Sequence, residues 1–509
     1  MLLKRKFSNE LKLAPLSNAT LIKAVSQLPI KQQNNKTVKN ILTYLTKRKT
    51  RTLSGVTPIT VLTKPYPCPG NCLYCPNEPG MPKSYLSNEP AAMRAHLNKF
   101  DPVKQVKMRI KALEANGHEV DKVELLILGG SFNYYPKDYQ QWFIKKCFDT
   151  CNNYNRKIKA AKTLNDSFKL NETSKYRIIG VTIETRPDLI DEKEVVWFRQ
   201  LGVTRVQIGV QHLDDKILKF VHRGHSIDQV IKATRLLKEA GFKIDYHLMP
   251  DLPGSTPAKD LAMFKKLFTD PNFQPDQIKI YPTVVNEYAP LSKLFKEGLY
   301  KPYSEKQLLE LLLKIKLIIP YYVRINRLIR DIPKESIIAG NKITNLRQYL
   351  SEELKKRGQK CKCMRCREAK EDLDDIKKAK LFTIKYKASK GTEYFISYES
   401  PKRDKLYSFL RFRINNDKNN FIPELRSASL VRELHTYGQL VPVNLPVRRG
   451  FTPRRAQHQG FGKRLMKIAE ELTKKQGLEK IAVIAGIGVR PYYEKLGYRL
   501  QGTYMVKQL

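Results

Sequence analysis

The chain has 509 residues, 41% hydrophobic and 9% aromatic, which furnishes apolar material for about three ordinary domains and excludes wholesale disorder. No apolar run reaches the roughly 18 residues of a membrane-spanning helix, and MLLKRKFSNELKLAP lacks the features of a secretory signal, so a cytoplasmic protein without membrane contact is expected. With 94 Lys+Arg against 49 Asp+Glu the formal charge is +45, and a soluble protein this basic is expected to meet a polyanion, nucleic acid first.

In chain order, the first 64 residues carry thirteen Lys+Arg and one acid, Glu10. Residues 1–58 read equally as an RNA-facing segment or a solvated basic tail. From residue 59 short β-rich runs alternate with helical stretches: ITVLT (59–63), VELLIL (123–128), IIGVTI (178–183), RVQIGV (205–210), KIDYHLM (243–249) and IKIY (278–281). Such alternation predicts a parallel sheet, here a partial (βα)6 barrel over 59–320 in an α/β fold. One intervening helix is bounded by Ser226 as N-cap and Gly241 as stop. Parallel barrels carry reactive groups at the C-terminal ends of their strands. The cysteines follow the first run, Gly129-Gly130-Ser131 the second and Glu184-Thr185-Arg186 the third. Gln211-His212, Pro250-Asp251 and Pro282-Thr283 follow the other three. Residues 321–380 form a basic linker, and FTIKYKA, YFISYE, LYSFLRFRI, SLVREL, a helix over 460–476 and IAVIAG predict a second mixed α/β domain over 381–509.

The eight cysteines fall into tight groups, which in a reducing cytosol indicates metal sites rather than disulfides. Cys68, Cys72 and Cys75 have the spacing C-x3-C-x2-C. Three thiolates on a [4Fe-4S] cluster leave one iron open, and S-adenosylmethionine can chelate that iron through its amino and carboxylate groups. Electron transfer then cleaves the sulfonium to a 5′-deoxyadenosyl radical. A zinc knuckle would need a fourth ligand, and His96 lies well outside the triplet. Cys361, Cys363 and Cys366 suit a structural zinc site whose fourth ligand comes from elsewhere. Cys147 and Cys151, spaced i,i+4 on a helix, read as core. Gln457, Gly460 and Gly462 open a helix whose free N–H groups suit a pyrophosphate, and RPYYEKLGY follows the next strand. Together these look like a GNAT-type acetyl-CoA site.

KPYPCPGNCLYCPNEPGMPKSYLSNEPAAMRA, VELLILGGSF, IGVTIETRPDLI, IGVQHLDDKILKFVHRGH, HLMPDLPGS and IKIYPT, with VRELHTYG, HQGFGKRLM and IAVIAGIGVRPYYEKLGYRLQGTYMVK, resemble the Elongator protein 3 family in its single-chain bacterial or archaeal form. The resemblance implies a radical S-adenosylmethionine barrel joined to an acetyltransferase domain through a zinc-containing linker. It implies a tRNA-modifying enzyme that forms 5-carboxymethyluridine at the wobble uridine, position 34, of the tRNA anticodon stem-loop. The radical would take hydrogen from the acetyl methyl of acetyl-CoA, the carbon radical would add to uridine C5, and thioester hydrolysis would leave the carboxylate.

Carried onto this sequence, Cys68, Cys72 and Cys75 would hold the cluster, Gly129 and Gly130 would line the methionine moiety, and Glu184 and Gln211 would bind the cofactor's ribose or methionine end. The alternative for Glu184 is an ion pair with Arg186 or a neighbour. Gln207 stands where family members often carry Glu. Tyr493 would protonate the departing CoA thiolate and Tyr492 contact acetyl-CoA; the alternative is that both rings are core. The turn His222, Arg223, Gly224, His225 reads as a substrate contact or a structural cluster. Arg109, Lys279 or Arg330 would meet RNA phosphates. An electron donor is a further expected partner, and a homodimer or accessory subunits stay open. The rival reading is a protein-lysine acetyltransferase with a structural iron–sulfur domain.

Overall fold

The computed structural model describes residues 16–29, 32, 35–45, 54–156, 158–159, 161–370, 375–416, 419–438 and 460–509. Among the described residues, two short helices, Asn18–Ser26 and Lys36–Leu45, precede the first strand.

Strands β1 (Thr57–Leu62), β2 (Lys122–Leu128), β3 (Arg177–Thr185), β4 (Arg205–Gln211), β5 (Lys243–Leu248) and β6 (Gln277–Ile280) match the six expected runs within two residues. They pair in parallel in chain order, as strands separated by helical crossovers do. The two-residue β7 (Val284–Val285) pairs with β9 (Ala339–Gly340), while β8 (Arg324–Arg327) adds a seventh parallel strand beside β6. That strand lies inside the stretch expected to be linker: Arg-Ile-Asn-Arg has no apolar run, because its polar side chains face the barrel interior. The helix Ile227–Glu239 begins with a capping box between Ser226 and Gln229, and Gly241 follows it at φ +86°. Cys147 and Cys151 are fully buried in the core between helices and sheet, as expected.

The second sheet comprises β10 (Lys380–Ala388), β11 (Gly391–Glu399), β12 (Leu406–Asn415), β13 (Ala428–Thr436), β14 (Lys480–Val483), β15 (Arg499–Gln501) and β16 (Tyr504–Gln508). Its order is β10-β11-β12-β13-β14-β16-β15, and only β13 and β14 run parallel. The helix Phe461–Lys475 packs its apolar stripe (Leu465, Met466, Ala469) on this sheet.

The two sheets are joined through buried charge. Asp276, just before β6, takes Arg432 Nη2 at 2.5 Å and Arg411 Nη1 at 3.4 Å. Glu393 takes Arg432 Nη1 at 2.7 Å, Arg413 Nη1 at 3.0 Å and Lys238 Nζ from the barrel at 3.5 Å. Burial works against ionising Asp276, but Arg432, Lys238 and Arg411 hold its carboxyl well below the usual range. Gly486 lies so close to the barrel that a Cβ would sit 1.9 Å from the Ile179 carbonyl oxygen.

Replacing Asp276 with Asn leaves two guanidinium groups buried without their carboxylate, and is expected to cost about 3–5 kcal/mol of stability in urea denaturation. Glu433 adds a pH signature. Its burial is outweighed by Lys243 and Arg411, which hold its pKa at about 2 against 4.5 unperturbed. Its contribution is therefore complete above pH 4.5 and lost as pH falls toward 2. Urea midpoints should drop through that window more steeply in the parent than in Glu433→Gln.

Candidate active site

The C-terminal ends of the barrel strands converge on a cavity of about 1220 Å³. Cys68, Cys72 and Cys75, on the loop after β1, line it with Gly130, Glu184, Arg186, Gln211 and Arg223. The same cavity continues down the barrel interior past Gln207, Lys279, Arg205, Glu124 and Lys243, and reaches Glu433, His435, Gly462, Tyr492 and Tyr493 of the second domain. Both sequence-predicted sites therefore open into one space.

At the upper end Gly70 N–H donates to Cys68 Sγ at 3.4 Å, and Arg223 Nη1 to Cys72 Sγ at 3.7 Å. Burial and the neighbouring Cys72 push the Cys75 thiol up to about 12. Among the described residues, the only group of three or more potential ligands within 4.8 Å of one another is Cys361, Cys363 and Cys366. The Cys68 triplet is thus spread wider than one tetrahedral ion spans, as suits a multi-iron cluster. Gln211 Oε1 and Arg186 Nη1 are buried without a hydrogen-bond partner, and both residues line this end. Gln211 also takes φ +69° at the last position of β4, aiming its amide off the strand path. Thiols, orphaned polar atoms and open wall fit a chelated, polar cofactor.

Glu184 does not pair with Arg186, which binds Asp188 at 3.0 Å and donates to the Arg223 carbonyl at 2.9 Å. Glu184 instead accepts from the Tyr85 hydroxyl at 2.7 Å and faces Lys279 Nζ at 4.0 Å, and the Arg186 pair does not form. Tyr85 was not legible as a site residue; only its place in the YLSNEP run after the cysteines marks it. Gln207 binds Lys279 and takes His247 Nε2 at 3.0 Å. Gly130 lines the cavity, whereas Gly129 packs behind it on Thr63. In the polar turn, Arg223 is buried with its Nη2 on the Gly209 carbonyl at 2.6 Å, and burial with Arg223 and Arg186 lowers the His225 pKa to about 2. That turn braces the cysteine loop. Arg330 and Lys279 are held inside the wall by Glu89 and by Asp245 and Glu184, which burial and pairing explain better than phosphate contact. Arg109 lies on the helix Pro102–Ala115.

At the lower end, Gly460 takes φ +77° as N-cap of Phe461–Lys475, and among the described residues no side chain caps that helix. A Cβ on Gly462 would lie 2.9 Å from the Tyr492 hydroxyl, which therefore stands over the helix N-terminus. Tyr493 is 6% exposed, packs against Tyr492 and Tyr498, and still borders the cavity; burial raises its phenol. Gln457 lies outside the described residues. In the linker, hydrogen bonds from Cys361 and Cys366 hold the Cys363 thiol well below its ordinary value, and Lys316 Nζ donates to Cys366 Sγ at 3.8 Å. Among the described residues no fourth His, Cys, Asp or Glu joins them.

The chain matches the Radical SAM superfamily over residues 66–266, the Radical SAM C-terminal domain over 275–356 and an acetyltransferase (GNAT) domain over 433–508. It is 43% identical to the tRNA uridine(34) acetyltransferase of Methanocaldococcus jannaschii, the match covering 92% of this chain and 88% of that protein. It is 38% identical to the Elongator complex protein 3 of Saccharomyces cerevisiae, over 92% of this chain and 86% of that one. Among solved structures, an N-terminally truncated archaeal Elongator protein 3 from Methanocaldococcus infernus superposes with a TM-score of 0.78 at 41% identity, covering 90% of this chain and 100% of that chain.

The two glycines after β2 give a test of the upper wall. Gly129 has φ +126° and a Cβ there would meet Thr63 Oγ1 at 2.1 Å, whereas at Gly130 (φ +100°) the nearest atom is 3.6 Å away. Gly129→Ala is expected to lower stability by about 1–3 kcal/mol, and by more than Gly130→Ala, in thermal and urea unfolding.

Proposed function

Since the chain belongs to the Elongator protein 3 family, we propose that it modifies the wobble uridine, position 34, of tRNA, building a carboxymethyl group at C5 from the acetyl group of acetyl-CoA. The single observation that carries this reading is the shared cavity, which joins the cysteine loop to the helix mouth beneath Tyr492. A protein-lysine acetyltransferase would need only the lower half, leaving the cysteine loop, Glu184 and Gln211 without employment.

Cys68, Cys72 and Cys75 would hold a [4Fe-4S] cluster, and Gly130, Glu184 and Gln211 would seat S-adenosylmethionine beside it. When bound, the pair supplies one-electron hydrogen abstraction, which the unactivated acetyl methyl and the weakly nucleophilic uridine C5 both call for. This chain's own residues do the positioning. Arg223 sets a positive charge against Cys72, Tyr85 and Lys279 fix the Glu184 carboxylate, and Gln211 offers its free carbonyl oxygen. The N-terminus of Phe461–Lys475 would bind the CoA pyrophosphate with help from Gln457, Gly460 and Gly462. Tyr492 would lie against the acyl arm, and Tyr493, with its proton held firmly, would donate to the departing thiolate. The tRNA must present an unstacked anticodon base at the cavity.

We divide the chain into a basic tRNA-binding segment over 1–58, a radical barrel from 59 that extends through β8, a linker from there to 380 and the acetyl-CoA domain over 381–509. We place a structural zinc on Cys361, Cys363 and Cys366, with Lys316 as a nearby cation. The setting is cytoplasmic, with an external electron donor; no described helix is long and apolar enough to cross a membrane.

Anaerobic incubation of cluster-reconstituted protein with tRNA, S-adenosylmethionine, acetyl-CoA and a reductant is expected to yield 5-carboxymethyluridine by nucleoside mass spectrometry. Omitting the reductant or S-adenosylmethionine, or substituting Cys72→Ala, should abolish it, while acetyl-CoA binding by calorimetry stays within about twofold. Equal product without S-adenosylmethionine would refute the proposal.

A further inference from the structure

The parallel pairing of β13 with β14 ends at Val431 and Val483, and beyond it the two segments part. Glu433 and His435 line the cavity on one side of the opening, Ile484 and Ala485 on the other, and Tyr492 and Tyr493 close it. His435 is the imidazole at the lower end of this space, and its geometry is fully specified. The ring stacks on Phe409 (centroids 5.7 Å apart, planes at 24°) and leans on Tyr437 at 4.6 Å. Its Nε2 lies 2.8 Å from the Ser54 carbonyl oxygen. A carbonyl oxygen only accepts, so Nε2 carries the proton and Nδ1 presents a lone pair. No described residue hydrogen-bonds that Nδ1.

We propose that His435 is the general base that hydrolyses the thioester once the acetyl carbon has been joined to uridine; this rests on the function proposed above. Nδ1 takes a proton from water as its oxygen adds to the thioester carbonyl. The carbon–sulfur bond then breaks, the departing CoA thiolate takes the Tyr493 proton, the imidazolium returns its proton to the tyrosinate through solvent, and the carboxylic acid product ionises. No oxidant or reductant is consumed.

The neighbouring groups favour this assignment over its competitors. Glu433 is engaged by Lys243 at 2.5 Å and by Arg411 at 2.9 Å, which makes it a very weak base. Tyr492 and Tyr493 have raised phenols and enter the reaction protonated, so neither can serve as the base. His247 has its Nε2 committed to Gln207. Burial, opposed by Glu433 and aided by Lys243 and Arg324, lowers the His435 pKa below 6.5, so the ring is neutral at physiological pH. Glu124, across the cavity on β2, completes the set of charges around it. Once protonated, the ring is stabilised by Glu433, two residues away on the same strand.

The test is single-turnover reaction of the cluster-loaded protein with tRNA, comparing His435→Gln with the parent by intact-tRNA mass spectrometry. The glutamine amide can keep the bond to Ser54 but has no basic nitrogen. General-base loss is worth roughly 10²–10⁴-fold, so the variant should release 5-carboxymethyluridine at least 100-fold more slowly and accumulate tRNA bearing CoA through a hydroxylamine-sensitive thioester. Thermal midpoint and acetyl-CoA affinity should match the parent. The parent's hydrolysis rate should fall with acid only below pH 6.5, and the variant should lack that limb. Hydrolysis at the parental rate, or loss of uridine attachment without the CoA adduct, overturns the role of His435 alone. Absence of modified uridine in the parent overturns the function itself. His435→Asn, which drops the Ser54 bond but is likewise non-basic, should stall at the same adduct; if its adduct forms and clears normally, the assignment fails.

Discussion

Everything in this molecule depends on the buried ionic junction around Asp276 and Glu393. Lys238 and Asp276 come from the barrel, and Glu393, Arg411, Arg413 and Arg432 from the second sheet, all essentially without exposure. Removing so many charges from water is costly, and a hydrophobic interface could have been as stable. The excess of cations is balanced by backbone carbonyls: Arg411 donates to Tyr322 O, Arg413 to Ala388 O and Ser389 O, and Arg432 to Phe242 O. Such directional contacts fix orientation, and here orientation matters because the acetyl-CoA mouth must meet the barrel floor.

The barrel interior next to that junction is polar as well. Ordinary parallel barrels fill their centre with branched apolar layers. Here Glu124 pairs with Arg205 and Lys243 reaches Glu433 of the other domain, so the strands enclose a charged passage rather than a packed core. The residues that line it are held by one another, which keeps the space open without leaving unpaired charge. A reaction with two reagents bound at opposite ends would gain from this arrangement, since the acyl group and the uridine would share one cavity.

Much of the architecture was legible in the sequence. Parallel strands buried on both faces appear as apolar runs, so β1 to β6 and the polar residues at their C-terminal ends could be read directly. The fourfold strand run and the glycine turn before Phe461 did the same for the second domain. β8 escaped because its side chains serve the polar interior, leaving no apolar signature. The extent of the cavity escaped too: Glu124, Arg205 and Lys243 appear in the sequence as isolated charges within strands, and only the tertiary structure shows that they line one passage. Glu184 was recognised, but its partners Tyr85 and Lys279 lie 99 and 95 residues away in the chain and no local pattern links them. His435 sits in a motif that carried the resemblance, yet its tautomer is set by Ser54, on a segment 381 residues earlier.

The proposed meeting of an acetyl group and a uridine in one cavity is tested by supplying acetyl-CoA with both acetyl carbons labelled with ¹³C and following the label into tRNA and protein. Both labelled carbons are expected in the side chain of 5-carboxymethyluridine, and none on lysine. Label on lysine with unlabelled tRNA, or modified uridine lacking the label, would contradict it.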